Sequence, residues 1–89
     1  MSEYNVEYSM KAGKYLHKLD RIQSKIIIAW IEKHLVGCEN PRVYGKALKG
    51  GMSGLWRYRV GKYRIIANIE DDKLLILVLE VGHRKEIYK

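Results

Sequence analysis

Three consecutive strand-forming segments in the second half of the chain constrain its fold most. They are LWRYRV, KYRIIANIE and KLLILVLEV, and they fill most of residues 55–81. Gly61-Lys62 separates the first two and Asp71-Asp72 the last two, so each connection is short enough for a hairpin. The segments therefore predict a three-stranded antiparallel meander. The last segment is apolar on both faces, so we expect it to be a central strand.

The residues before this meander predict one strand and two helices. Tyr4 to Tyr8 alternates like a short strand, and Ser9 is a suitable N-cap for a helix through about Leu19. Asp20 is the predicted N-cap of a second helix, DRIQSKIIIAWIEKHLVG, which is predicted to end at Gly37. Residues 38–54 hold the single proline and four of the eight glycines, which predicts a long loop. The expected fold is a single α+β domain over residues 1–89, with a strand and a helical hairpin packed on an antiparallel sheet.

Alternation along the predicted hairpin divides its side chains between two faces. With a turn at Gly61-Lys62, Arg59 lies opposite Arg64 and Tyr58 lies opposite Ile65. The core face then carries Trp56, Tyr58, Val60, Tyr63 and Ile65, and the other face carries Arg57, Arg59 and Arg64. Like charges directly opposite each other destabilise a strand pair, so a sequence selected only for folding would avoid them. The alternative is that twist separates the arginines and that water solvates each one.

The charge of the chain points to an anionic partner. Residues 41–89 carry eleven Lys and Arg against five Asp and Glu, so most of the net charge of +7 lies there. Cys38 is the only cysteine, which excludes a disulfide framework, and no His or carboxylate spacing suits a metal site. The apolar segments are too short to span a bilayer and the first residues do not resemble a signal peptide, so we expect a cytoplasmic protein.

The end of the last strand adds to the basic face. Antiparallel pairing brings Val81 near Tyr63 and Arg64, so His83 and Arg84 are expected beside the same arginines, with Arg64 and Arg84 both exposed. Such a cluster is suited to holding phosphates, or one phosphate while charge builds on it. A histidine without a partner in a polar tail remains the alternative for His83.

The order of elements and three motifs resemble the RelE/ParE superfamily of bacterial toxins from toxin–antitoxin pairs. The motifs are KALKG in the loop, LWRYRVGKYRIIA in the hairpin and VGHRKEIY at the end. The terminal motif is more typical of the RelE branch, whose members resemble ribosome-dependent mRNA endonucleases. Members of the ParE branch poison DNA gyrase and generally lack the terminal catalytic residues.

The resemblance implies roles for individual residues. Arg64 matches the family's catalytic arginine, Arg84 the arginine after the last strand, and Tyr88 a tyrosine thought to stack on a substrate base. Arg57 and Arg59 stand where the best-studied branch has lysines, one of them its proposed general base. Arginine is a poor base, so that role does not transfer, and His83 becomes the candidate for proton transfer. The predicted catalytic set is Arg59, Arg64, His83, Arg84 and Tyr88, and the predicted RNA contacts are Lys46, Lys49, Arg57, Lys62 and Lys85.

The resemblance also implies partners and a reaction. The partners are mRNA, the A site of the small ribosomal subunit and a cognate acidic antitoxin, without a membrane, a metal or a cofactor. The RNA 2′-hydroxyl would attack the adjacent phosphate while the arginines stabilise the developing charge. The alternatives are a ParE-like inhibitor of DNA gyrase without an active site, and a basic binding module.

Overall fold

The computed structural model describes residues 3–87, which form two helices packed on a five-stranded mixed sheet. The strands are β1 (Asn5–Tyr8), β2 (Gly45–Ala47), β3 (Trp56–Val60), β4 (Tyr63–Glu70) and β5 (Leu75–His83). The helices are α1 (Met10–Lys18), α2 (Arg21–His34) and the four-residue α3 (Arg84–Ile87). The strand order is β1-β5-β4-β3-β2, so β5 is an interior strand, as its apolar faces predict, and β4 is the middle strand. No helix within residues 3–87 is long and apolar enough to cross a membrane.

Polar side chains begin both long helices, as the sequence predicts. Ser9 Oγ accepts a hydrogen bond from Ala12 N at 3.1 Å and donates one to the carbonyl of Leu79 at 2.7 Å. Asp20 Oδ2 accepts from Gln23 N at 3.2 Å. Each cap satisfies a backbone donor that a helix leaves free in its first turn. The Ser9 cap also fixes the start of α1 against β5.

The core lies between the two long helices and one face of the sheet. Leu16 of α1 and three residues of α2 pack there against the sheet, with Tyr58, Val60, Ile65, Ile76 and Val78 among the sheet's contributions. The α2 residues are Ile27, Ile31 and Leu35. Tyr58 is fully buried, and its hydroxyl donates to the carbonyl of Pro41 at 2.7 Å. Burial raises the pKa of this hydroxyl, which therefore stays protonated.

The strand register confirms the predicted hairpin. Val60 pairs with Tyr63, Arg59 with Arg64 and Tyr58 with Ile65. Gly61 begins the turn with a φ of 58°, in the left-handed region that glycine adopts without strain. Pairing of β4 with β5 continues through Tyr63 and His83, with one bulge between Ile66 and Ala67.

Three features differ from the prediction. The segment predicted as a long loop contains β2, an edge strand that pairs with β3, and short 3-10 turns at Pro41–Tyr44 and Gly50–Met52. The sheet is mixed because β1 runs parallel to β5. Helix α2 ends at His34, before Gly37, because the N–H groups of both Leu35 and Val36 donate to the carbonyl of Ile31. Gly37 instead takes a left-handed φ of 75°, and its N–H donates to the carbonyl of Tyr4.

Candidate nucleic-acid interface

Basic side chains occupy neighbouring positions on the sheet face opposite the core. Arg59 of β3 pairs with Arg64 of β4, and Arg64 pairs in turn with Gly82 of β5. Two residues earlier on β3, Arg57 pairs with Lys46 of β2. Paired residues share a face and adjacent strands lie ~5 Å apart, so these four cations cover an area only ~10 Å wide. The arginine face, as we name the surface of Lys46, Arg57, Arg59 and Arg64, can therefore contact more than one phosphate of a nucleic-acid strand.

Two members of the arginine face, Arg57 and Arg59, lack the ion pairs that a purely structural cluster would have in the described part of the chain. The ion pairs observed within residues 3–87 are Lys11–Glu80, Arg42–Asp71 and Lys73–Glu70, so Arg57 and Arg59 form none there. Nε of Arg57 is inaccessible to solvent and has no hydrogen-bond acceptor in the same part of the chain. A buried donor without an acceptor is unfavourable for folding. The Nε of Arg57 is therefore a cost to folding that no contact within residues 3–87 offsets.

Arg64 is buried, contrary to the prediction that it would be exposed. Only 9% of its surface is accessible to solvent. It lies on β4, the middle strand of the sheet, next to Ile66 of the same strand, which is 1% exposed. Strand alternation correctly predicts the face of the sheet on which Arg64 lies. It does not predict how far the side chain is buried, because burial depends on the neighbouring side chains. Arg59 and Arg84, in contrast, are exposed.

The segment after β5 returns to the hairpin turn, as predicted. The backbone N–H of Arg84 donates to the carbonyl of Lys62 at 3.0 Å, which places the start of α3 beside the turn between β3 and β4. Lys62, Arg84 and Lys85 are all exposed there and extend the basic surface from the arginine face. Lys49, the other predicted RNA contact, is exposed between β2 and β3. The predicted catalytic residue Tyr88 lies outside the described residues.

His83 lies on the other side of the sheet from the arginine face, which differs from its predicted position. It pairs with Tyr63, and the two rings are 5.8 Å apart in an edge-to-face arrangement. Tyr63 packs against the core, so His83 faces the same side at the end of β5. Its Nδ1 accepts a hydrogen bond from Lys85 N at 3.3 Å. A catalytic role for His83 stays a prediction, and it would require the substrate to pass around the end of β5.

A polar network that the sequence did not predict holds the segment before β2. Asp71 Oδ1 and Oδ2 accept from the guanidinium of Arg42 at 3.0 and 2.9 Å, and Oδ1 also accepts from the hydroxyl of Tyr4 at 2.6 Å. These hydrogen bonds from Arg42 and Tyr4 lower the pKa of Asp71 to about 2, and the bond to Asp71 raises the pKa of Tyr4. The Arg42 guanidinium also lies 5.8 Å from the ring centroid of Trp56. No signal in the sequence relates three residues so far apart.

No group of three or more His, Cys, Asp and Glu side chains that could hold a metal ion occurs within residues 3–87. His17 is exposed on α1, and His34 is half-buried on α2. Nδ1 of His34 lies 3.0 Å from the carbonyl oxygen of Trp30, and the two rings are in contact. Trp30 and Trp56 pack at the edge of the core, and Trp56 lies on the face of the hairpin that strand alternation predicts.

The model of one protein family matches nearly the whole chain. The model of the ParE toxin of the type II toxin–antitoxin system parDE matches residues 6–88. The chain belongs to the RelE/ParE superfamily of toxins. It is therefore the toxin component of a toxin–antitoxin system, with the RelE-like fold that its motifs predict.

Individual relatives of this toxin carry names from the RelE branch. Toxin RelG of Mycobacterium tuberculosis (strain ATCC 25618 / H37Rv) is 31% identical over 87 residues, which is 97% of each chain. A chain of the toxin–antitoxin complex RelBE2 from M. tuberculosis superposes with a TM-score of 0.82 at 27% identity, covering 94% of both chains. A mutant of E. coli toxin RelE in the free state gives a TM-score of 0.75 at 22% identity, covering 94% of this chain and 86% of that one. The last comparison shows the fold alone.

Proposed function

We propose that this toxin is an endoribonuclease that cuts mRNA on the ribosome. The observation that supports it most is the direct pairing of Arg59 with Arg64 on a face that also holds Arg57 and Lys46. A phosphate that gains charge in its transition state would relieve the repulsion among these cations, so the site is suited to stabilise that state more than the ground state.

The reaction is an internal transfer at one phosphate of the message. The 2′-oxygen of a ribose attacks the adjacent phosphorus while the bond to the 5′-oxygen of the next nucleotide breaks. The products are a 2′,3′-cyclic phosphate and a free 5′-hydroxyl, with the 2′-proton transferred to a base and another proton delivered to the leaving oxygen. Buried Arg64 is suited to hold a non-bridging phosphate oxygen in a fixed geometry, because its rotamer is restricted by packing.

The candidate site has several cations that can stabilise charge but few groups that can transfer a proton. Arginine remains protonated, so Arg57 and Arg59 act as donors and not as bases. His83 is the candidate for proton transfer, and the ribosome would supply alignment of the message, which by itself can account for a large part of a barrier. Since alignment by the ribosome would compensate for these missing groups, we expect cleavage to depend on the A site of the small subunit.

An antitoxin is part of the same proposal. The structural relative from M. tuberculosis comes from a toxin–antitoxin complex. For this toxin we expect an acidic partner encoded with it, whose carboxylates cover the arginine face and whose apolar residues pack on the domain.

A ribosome-programmed cleavage assay tests the chemistry directly. A message with one 2′-deoxynucleotide at the cleaved position should resist the purified toxin, because the attacking hydroxyl is missing. The matched control carries the same deoxynucleotide one codon away and should be cut at the normal rate, leaving a 2′,3′-cyclic phosphate. Cutting at the deoxynucleotide would exclude attack by the 2′-hydroxyl.

A second candidate function follows from the family model that matches, which is that of the ParE toxin. A ParE-like toxin would inhibit DNA gyrase by binding and would need no cleavage site. Inhibition of DNA supercoiling by the purified protein, with no loss of message, would select this alternative.

A further inference from the structure

A small polar pocket lies at the edge of the sheet, next to the arginine face. Its volume is about 310 Å³, and it is lined by Val43, Tyr44, Gly45, Lys46, Arg57 and Arg59. Three of these six residues carry cationic side chains and none carries a carboxylate. The pocket therefore attracts an anion, and its cations are shared with the surface proposed to bind the message.

Tyr44 is the aromatic member of this lining, and it is 44% exposed. Its ring meets that of His34 edge to face at 5.2 Å, His34 contacts Trp30 at 4.6 Å, and Trp30 contacts fully buried Tyr58 at 5.7 Å. A row of rings thus connects an exposed tyrosine to the core. Such support limits the positions of Tyr44 and lowers the entropy that binding a planar ligand would cost.

The backbone under Tyr44 is held in place as well. Tyr44 ends the 3-10 turn that begins at Pro41, whose carbonyl accepts from the buried Tyr58 hydroxyl. Arg42 of the same turn is bound by Asp71 through two hydrogen bonds. Gly45 follows, and a Cβ atom there would collide with the carbonyl oxygen of Arg57, so only glycine lets β2 approach β3 this closely. The Tyr44 ring and the three cations of the pocket are therefore fixed relative to each other.

We propose that this pocket is a binding subsite for one unpaired nucleotide of the RNA, with its base stacked on Tyr44 and its phosphate held by Lys46, Arg57 and Arg59. The inference rests on the proposed function and adds to it a single-stranded RNA segment that extends from the arginine face towards β2. Stacking on an aromatic ring combined with basic groups along the backbone is the usual way in which proteins hold single strands. The cationic lining favours RNA over an apolar segment of a partner protein.

Binding of an RNA that cannot be cleaved tests the subsite without testing the reaction. The probe is a fluorescent single-stranded hexaribonucleotide with 2′-O-methyl groups throughout, titrated with purified toxin at low salt. Tyr44→Leu should weaken binding roughly tenfold, a value within the range for loss of one base–aromatic stack. Tyr44→Phe keeps the ring and should bind like the wild type. Val36→Ala truncates an exposed apolar side chain outside this lining and should also bind normally.

A series of abasic probes identifies the stacked base. Each nucleotide in turn loses its base, and at one position the abasic probe should bind wild type and Tyr44→Leu equally. If Tyr44→Leu binds the intact probe like the wild type, or if the loss persists at every abasic position, the subsite is not formed by Tyr44. A wild type that does not bind the probe would equally overturn the proposal.

The outcomes separate this inference from the proposed function. RNA binding that depends on Tyr44, in a toxin that cuts no message, would retain the subsite and reject the endonuclease. Unchanged RNA binding by Tyr44→Leu, together with weaker binding of the antitoxin, would assign Tyr44 to the protein partner instead.

Discussion

Arg64 combines a charge suited to catalysis with a position in the packed sheet. Strand alternation predicts its face, because the turn at Gly61 fixes the register of the hairpin. Alternation does not predict that only 9% of the side chain is exposed. Burial follows from neighbours on β4 and from the rest of the face, which a local pattern does not contain. Removal of the Arg64 side chain is therefore expected to disturb packing as well as activity.

We expect the two roles of Arg64 to separate in two substitutions. Arg64→Ala should lower the melting temperature as well as activity, because it removes a packed side chain. Arg64→Lys keeps a charge and most of the packed stem but loses the planar fork of donors. It should reduce the single-turnover rate of message cleavage by about 10² to 10³, as for loss of one preorganised donor, with a much smaller effect on melting.

Arg59→Ala is the matched control for stability, because Arg59 is exposed on the same face directly opposite Arg64. Its melting temperature should equal or exceed that of the wild type, since the substitution removes a like-charge pair. Full cleavage activity in Arg64→Lys would mean that position 64 needs only a cation, and the role of a fixed phosphate ligand would be wrong.

At the scale of elements, the sequence predicts the strands and helices that depend on local patterns. It does not predict the strand pairs that depend on contact between distant segments. The meander and both helix caps follow from turns, alternation and capping residues. The strand β2 has only three residues, GKA, with no alternation to reveal it. It forms because Gly45 can approach the backbone of β3 and because Asp71, in the turn between β4 and β5, binds Arg42. Parallel pairing of β1 with β5 likewise depends on the path of the helical hairpin.

The Asp71 network should contribute stability that depends on pH. Its carboxylate has a pKa of about 2 in the fold, below the ordinary 3.8, so the folded protein binds this proton more weakly than the unfolded chain does. The contribution should be complete above pH ~4 and disappear as the pH falls from about 4 to about 2. Asp71→Asn should therefore melt below the wild type at pH 7, with a difference that narrows across this acidic range.

Glu70→Gln provides the control for the Asp71 prediction. It removes a carboxylate of the neighbouring residue, which makes a single 3.4 Å ion pair with exposed Lys73. Such pairs contribute little, so the melting temperature should change only slightly at pH 7. An Asp71→Asn variant that melts like Glu70→Gln at every pH would show that the network does not stabilise the fold.

At the scale of the molecule, helices cover one face of the sheet and cations gather on the other. This asymmetry was predictable in outline, because eleven of the seventeen Lys and Arg lie within residues 41–89. The position of His83 was not predicted. Strand β5 continues for two residues beyond Val81, which places the His83 ring on the same side of the sheet as Tyr63. Thus the sequence predicts the positive charge of this surface better than it predicts which residue transfers a proton.

The charge asymmetry predicts how an acidic antitoxin should bind. Association should be fast at low salt and slow markedly as ionic strength rises, because screening acts beyond ~8 Å at physiological salt. Dissociation should change less, since apolar contacts supply most of the affinity. Stopped-flow mixing at two salt concentrations measures both rates. An association rate that is indifferent to salt would mean that the antitoxin binds away from the arginine face.

The most direct test of the account is to map the 5′ ends of cellular mRNA within minutes of inducing the toxin. We predict new ends inside translated regions, in register with the reading frame, and their loss when Arg84→Ala is induced to the same level. Arg84 is exposed, so this variant should remain folded. Growth arrest without new ends in translated regions would contradict the central claim that this toxin cuts messages on the ribosome.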